Sequence, residues 1–181
     1  MEKDTMSHAI AHPVATRRGG VAFGALRMLL LSLLMLISHG VWAEPVAATQ
    51  NLALAKQNFT LLKQNYQIAK TQLQIGQPTA ATVSFSMARA QAVQMSSNLT
   101  ATLFENQDTL QRGLYRDGVS QQRAIQHNDV AKSQSQLLQT KLLILSIQPT
   151  SQIDLILADQ AIAQLTSELL QLEQAMIAAQ Q

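Results

Sequence analysis

Cysteine is absent from the 181-residue chain, and aromatic residues and histidine are scarce. A chain without thiols forms no disulfides and offers no thiolate ligands, so metal sites built on cysteine are excluded. His127 is the only histidine after residue 43, and a serine–histidine–aspartate triad would have to use it. It lies in the polar segment 126–129, and we interpret it as a solvated surface residue.

Motifs of cofactor and metal chemistry are missing as well. The sequence has neither a glycine-rich phosphate-binding loop nor a calcium-binding loop. Asp154 and Asp159 are five positions apart, which does not align them on one helical line, and we interpret them as solvent-facing. We therefore predict that the protein is not an enzyme. We expect no catalytic, cofactor-binding or metal-binding residues, no cofactor and no small-molecule substrate.

The N-terminal region has the pattern of a secretory signal peptide. Three arginines precede an apolar run, residues 28–37, and a cleavage motif with small residues follows at 41–43. The run has about half of the roughly 20 apolar residues that a membrane span requires, so we favour a cleaved leader over a retained anchor. We predict that residues 1–43 are the signal peptide, with cleavage near Ala43. Export would place the remainder in the periplasm, in the cell envelope or outside the cell.

Charge is balanced once this leader is set aside. Residues 44–181 contain nine Lys or Arg and nine Asp or Glu, so their formal net charge is zero. The calculated isoelectric point of about 9.2 belongs to the whole chain. It therefore does not indicate binding to nucleic acid.

Glutamine, alanine and leucine dominate the remainder, and these residues favour helices over strands. Glycine and proline after residue 45 occur only at Gly76, Pro78, Gly113, Gly118 and Pro149. These breaks predict one all-α domain over residues 44–181, with helices at about 46–75, 79–112, 119–147 and 151–180. We expect Gly76 to cap the first helix and Thr79 to be the N-cap of the second.

The first and last helices have the clearest apolar periodicity. Spacings of three and four residues run without interruption along both, as in helices that pack by heptads. The residues of the first helix are Leu52, Ala55, Phe59, Leu62, Tyr66, Ala69 and Leu73. Those of the last are Leu155, Ala158, Ile162, Leu165, Leu169, Leu172, Met176 and Ala179. Ser151 and Asp154 resemble a capping box, and Ile156, Ala163, Leu170 and Ile177 widen the last stripe.

The middle of the chain is less regular. The second helix has a weaker seam through Phe85, Ala88, Ala92, Met95, Leu99 and Leu103. Residues 119–136 have few apolar positions, so they form either an exposed helix or a mobile segment. The predicted fold is an elongated antiparallel helical bundle built from coiled-coil hairpins, and the heptad stripes fit an intramolecular bundle and self-association equally well.

Lys56, Lys63 and Lys70 recur every seven residues beside the seam of the first helix. This row could bind phosphate groups, but charges that flank a coiled-coil seam more often determine which helix pairs with which. We favour the pairing role.

Two family resemblances concern the helices. Segments 151–165 and 169–176, with the opening helix 51–74, resemble minor-pilin and mating-pair-formation proteins of type IV secretion systems. That resemblance implies a periplasmic or pilus-associated component of conjugation or effector delivery. Segment 66–76 with Ala88-Arg89-Ala90-Gln91 is similar to the helical hairpins of outer-membrane efflux proteins.

The predicted function is accordingly a non-enzymatic, exported helical component of a type IV secretion or conjugative transfer apparatus. The alternative is a general cell-envelope coiled-coil adaptor, including an efflux-like hairpin. Both predict protein partners within an envelope-spanning complex, together with self-association, and no nucleic-acid partner.

Overall fold

The computed structural model describes the backbone of residues 20–181 and the side chains of residues 46–181. Within these limits the chain forms four helices: α1 (Gly20–Gln74), α2 (Pro78–Gln111), α3 (Gly118–Leu145) and α4 (Gln152–Gln180). The chain divides into two compact units, Met1–His39 and Gly40–Gln181. The second unit contains the helix packing described below.

The predicted all-α fold class is confirmed, and the described backbone contains no strand. The ends of α2, α3 and α4 differ from the predicted ones by at most two residues, whereas α1 begins at Gly20 rather than near residue 46. The predicted signal peptide lies outside the residues whose side chains are described, and it stays a prediction. Among the described residues, no helix combines the length and the apolar character that crossing a membrane requires.

Each helix of the second unit contacts two others, in the cyclic order α1, α2, α3, α4 and back to α1. Neighbouring helices run antiparallel: Lys56 of α1 contacts Glu173 late in α4, and Lys70 contacts Asp159 early in α4. The α2–α3 and α3–α4 pairs are also in extensive contact. Hydrogen bonds also join the other neighbouring helices. Ser84 of α2 bonds Gln72 of α1, Ser135 of α3 bonds the Ala92 carbonyl of α2, and His127 of α3 bonds Glu168 of α4.

Two glycines end α1 and α2 in the same way. Gly76 and Gly113 have φ angles of +73° and +64°, a left-handed backbone that favours glycine. The amide of Gly76 donates to the Leu73 carbonyl, and the amide of Gln77 donates to the Gln72 carbonyl. This is the Schellman arrangement, and the predicted cap at Gly76 is therefore confirmed.

The predicted N-cap of α2 was wrong by two residues. Gln77, not Thr79, is the N-cap, and Pro78 occupies the first turn. Proline suits this position because its missing N–H has no partner in the first turn and its φ angle is already helical.

Ser151 is the N-cap of α4, but the predicted capping box does not form. Its hydroxyl makes no bond to a backbone amide. It donates instead to Asp154 Oδ2 at 2.6 Å. Asp154 is thereby held inside the bundle rather than turned back over the helix end.

The buried residues follow the predicted seam in α1, where all but the half-buried Leu73 are inside the core. In α4 the first half of the seam is shifted by one position, since Asp154 and Ala161 are buried while Leu155 and Ile162 are half-buried. In α2 the seam continues through Thr102, not through Leu103. Residues 119–136 belong to α3, and the prediction of an exposed helix was wrong because one face of this segment is buried.

The N-terminal half of α3 is part of the core despite its polar sequence. The buried positions of the whole helix keep the spacing of three and four residues, which apolar residues alone do not show, and Ser120 is buried beside the first of them. They are Gln121, Ala124, Asn128, Ala131, Ser135, Leu138, Leu142 and Leu145.

Candidate interaction surfaces

His127 and Asp154 lie at the α3–α4 contact, and the sequence-based interpretation of both as solvated was wrong. His127 Nδ1 lies 2.8 Å from Glu168 Oε2, with 29% and 21% of these side chains exposed. Lys141 Nζ donates to Asp154 Oδ1 at 3.2 Å. Both contacts connect the same pair of helices. These two contacts therefore hold α3 against α4.

Two carboxyl groups at helix starts have lowered pKa values. The hydrogen bond from the Ser151 hydroxyl lowers the pKa of Asp154. Partial burial of the carboxyl group acts in the opposite direction, and Lys141 lowers the pKa further. The Ser120 hydroxyl, with the backbone amides of Ser120 and Val119, lowers the pKa of Asp117, the N-cap of α3. Hydrogen bonds to a carboxylate favour its charged form, so both groups stabilise the fold while ionised.

The row of lysines on α1 joins this helix to α4. Lys56 Nζ lies 2.6 Å from Glu173 Oε1, and Lys70 Nζ lies 2.9 Å from Asp159 Oδ2. Lys63 lies over the ring of Phe59 at 4.8 Å. These contacts support the interpretation as pairing charges, because two of the three lysines are already bonded to acidic residues of the neighbouring helix.

Tyr66 links three helices. Its ring lies 5.8 Å from that of Phe85 in α2, and its hydroxyl donates to the Leu155 carbonyl of α4 at 3.1 Å. Burial, together with the charge of Asp159, raises the pKa of Tyr66. The phenol therefore stays neutral and acts as a hydrogen-bond donor within the core.

A cluster of buried amides lies between α2 and α3. Gln121 Nε2 donates to the backbone carbonyl of Asn106 at 2.9 Å and to its side-chain Oδ1 at 3.1 Å. Asn128, one heptad further along α3, is fully buried, and neither atom of its amide has a protein partner. A buried amide without partners costs stability, and such positions in helical bundles are best known for selecting helix register and partner.

Two rows of apolar side chains lie on the outside of the bundle. The α1 outer row consists of Leu54, Leu61 and Ile68 in α1 and Ile75 directly after it, with 48%, 39%, 49% and 63% exposed. The α4 outer row consists of Ile156, Ala163, Leu170 and Ile177, all exposed. Both rows repeat every seven residues. Members of the α4 row were predicted to widen a packed stripe, but the structure leaves them uncovered.

A groove of about 300 Å³ lies between α1 and α4, near the C-terminal end of α4. Leu52, Ala53, Met176 and Ile177 contribute apolar lining, and the Lys56–Glu173 ion pair lies beside them. This volume is at the lower limit of small-molecule pockets, about 300–1,000 Å³. Thr49 and Gln180 complete the lining, which is mostly apolar, so the groove suits an apolar side chain better than a polar substrate.

The described side chains, residues 46–181, contain no group of three His, Asp or Glu residues placed to hold a metal ion. Comparison with protein-family models, with curated proteins and with solved structures finds no match to this chain.

Proposed function

We propose that this protein is an exported, non-enzymatic helical binding component of a type IV secretion or conjugative transfer apparatus, located in the periplasm or on the pilus. The observation that carries the binding role is the pair of outer rows. A bundle that already has a core still exposes heptad-spaced apolar side chains on two helices. Exposed apolar residues that repeat every seven positions along a helix are typical of surfaces that pack against other helices.

Export is supported by the order of features in the leader, namely basic residues, a short apolar run and a small-residue cleavage motif. The assignment to a secretion apparatus is supported by the resemblance of segments 51–74 and 151–176 to minor-pilin and mating-pair-formation proteins.

The alternative is a cell-envelope adaptor of another pathway, with efflux-type hairpins as its model. The observation that favours it is the α1–α2 hairpin. Its turn is at Gly76, and its two helices contact each other through the rings of Tyr66 and Phe85. Both alternatives use the same surfaces, and they differ in the complex that is bound.

The experiment uses the full chain with a C-terminal tag, expressed in its native host. Cells are fractionated, pili are sheared off and purified, and envelope complexes are cross-linked and identified by mass spectrometry. We expect the protein in the periplasm or with pili, cross-linked to secretion-channel subunits. Cross-links to transporter subunits alone would favour the adaptor. N-terminal sequencing of the exported form should begin near Glu44, and recovery of an unprocessed cytoplasmic chain would remove the export proposal.

A matched pair of variants connects the surface to the function. Leu170→Gln with Ile177→Gln changes the α4 outer row, while Gln160→Ala with Gln174→Ala changes exposed polar positions of the same helix. If α4 binds the apparatus, the first pair should lose the cross-links and the second should keep them.

A further inference from the structure

No charged side chain of α1 flanks the α1 outer row. Between Leu54 and Ile75 the only ionisable side chains that are not buried are Lys56, Lys63 and Lys70, and these lie on the side of α1 that faces α4. The residues that flank the row are amides and one threonine: Gln57, Asn58, Gln64, Asn65, Thr71 and Gln72. A foreign charged partner would find nothing complementary here, whereas an identical uncharged surface meets no repulsion.

The row is also self-complementary in an antiparallel arrangement. A two-fold axis between positions 64 and 65 places Leu54 opposite Ile75 of a second copy and Leu61 opposite Ile68. Residues on the same flank then meet: Gln64 opposes Gln64, and Gln57 opposes Thr71. An amide both donates and accepts hydrogen bonds, so two copies of the same glutamine can pair. Two-fold interfaces require this reciprocity, in which each contact occurs twice.

The α4 outer row fits the same requirement less well. Its second member is Ala163, which buries little apolar area. Asp159 and Glu173 flank it and are already bonded to Lys70 and Lys56. The α4 row therefore serves as the matched control.

We propose that the α1 outer row is a homodimer interface, in which α1 of one copy packs antiparallel against α1 of a second copy about an axis between Gln64 and Asn65. The inference names one partner within the proposed binding role, but it rests on residues of α1 and not on export or on any secretion apparatus. The 22 residues from Leu54 to Ile75 extend about 33 Å along the helix, one helix width across. An interface of this size belongs to the weak class, so we expect a micromolar dissociation constant.

The first test measures the mass of the purified protein in solution by sedimentation equilibrium across the micromolar range. The wild-type protein should pass from monomer to dimer. Leu61→Gln with Ile68→Gln should weaken dimerisation by at least about tenfold, because both central contacts are lost. The control, Leu170→Gln with Ile177→Gln, should dimerise as the wild type does. Circular dichroism should show unchanged helicity in both variants, since all four side chains are already half exposed.

The second test determines the register by disulfide cross-linking. Because the protein has no native cysteine, any disulfide must form between the introduced cysteines. Gln64→Cys should form an intermolecular disulfide under mild oxidation, because it lies beside its own copy. Gln57→Cys alone should not, since its two copies would be about 22 Å apart. A mixture of Gln57→Cys and Thr71→Cys should cross-link again. Ser167→Cys on the α4 surface should stay monomeric.

A monomer at every concentration would overturn the proposal, and so would cross-linking of Ser167→Cys in place of Gln64→Cys. Failure to find the protein with secretion subunits would leave both measurements on the purified protein unchanged. The dimer proposal and the proposed function can therefore be disproved independently of each other.

Discussion

At the scale of single residues, the buried amides of α3 show how this bundle differs from one designed for stability. Gln121 Nε2 donates to Asn106, although Gln121 Oε1 has no partner, and neither atom of the buried Asn128 amide has a protein partner. Leucine at this heptad position would bury apolar area instead of an amide. The polar residue therefore contributes to something other than stability, and selection of helix register is the best-attested use of such a position.

We predict that Asn128→Leu raises the free energy of unfolding by about 1–2 kcal/mol, because it removes an unpartnered buried amide and adds apolar burial. Asn106→Leu is the matched control. It deletes an acceptor of Gln121, so it should give no gain or a loss of about 1 kcal/mol. Urea denaturation followed by circular dichroism measures both. A destabilised Asn128→Leu variant would contradict the interpretation, and mixed oligomers in that variant would indicate a role in specificity.

Asp154 makes the stability of the bundle sensitive to acid. Its pKa in the folded protein is below the ordinary value, because the Ser151 hydroxyl bonds its carboxylate. Below the ordinary pKa the unfolded chain binds a proton that the folded chain binds less readily. Stability that is present above this pH is therefore lost as the pH falls.

We expect the melting temperature to fall between about pH 5 and about pH 3, and Asp154→Asn to make that fall shallower. Ser151→Ala should have a similar but smaller effect, since Lys141 still favours the carboxylate. Adding Asp117→Asn should flatten the dependence further, because the pKa of Asp117 is also lowered. Parallel pH profiles of wild type and Asp154→Asn would argue against this role.

At the scale of the helices, the turns depend on backbone geometry more than on side-chain contacts. A Cβ atom at Gly76 would meet nothing within 4 Å, so the requirement for glycine is its φ angle of +73°. Gly118, by contrast, begins α3 and has no such constraint.

Gly76→Ala should therefore lower the free energy of unfolding by about 1–2 kcal/mol, the cost of a left-handed backbone for an L-residue. Gly118→Ala should be neutral or slightly stabilising, since alanine favours the helix. Thermal melts of the two variants side by side provide the measurement. Equal effects would show that the loss at Gly76 does not arise from its backbone conformation.

At the scale of the whole four-helix unit, α3 contributes differently to the two ends of the core. One end contains Leu138, Leu142 and Leu145 from α3, and the other contains the amides of Asn106, Gln121 and Asn128. Apolar burial is the main source of stability, so local opening should begin at the polar end.

Native-state hydrogen exchange tests this gradient within a single helix. Amides of residues 121–132 should exchange at least about tenfold faster than those of residues 138–145, although both segments are helical. In Asn128→Leu the difference should shrink. Uniform protection along α3 would mean that the unit opens as one.

Much of the fold follows from the sequence alone. Glycine and proline placed the breaks between helices, because their backbone constraints act locally and need no tertiary partner. The seam of α1 was equally readable, since its apolar residues keep one spacing from Leu52 to Ala69.

The sequence was least informative where the core is polar. Burial of Gln121 and Asn128 depends on which helices surround α3, and their amides resemble surface residues until those neighbours are known. The same holds for Asp154 and His127, which looked solvated and lie against α3 and α4, respectively. Among surface features, the seven-residue repeat of Leu54, Leu61 and Ile68 was already in the sequence, but its exposure was not.

What the sequence determined by itself is the all-α class, the helix breaks and the heptad spacing, since these arise from local backbone preferences and periodicity. Only the tertiary structure decided which heptad positions face inward. It placed amides in the core and left apolar rows outside, because burial is a property of neighbouring helices and not of any one helix.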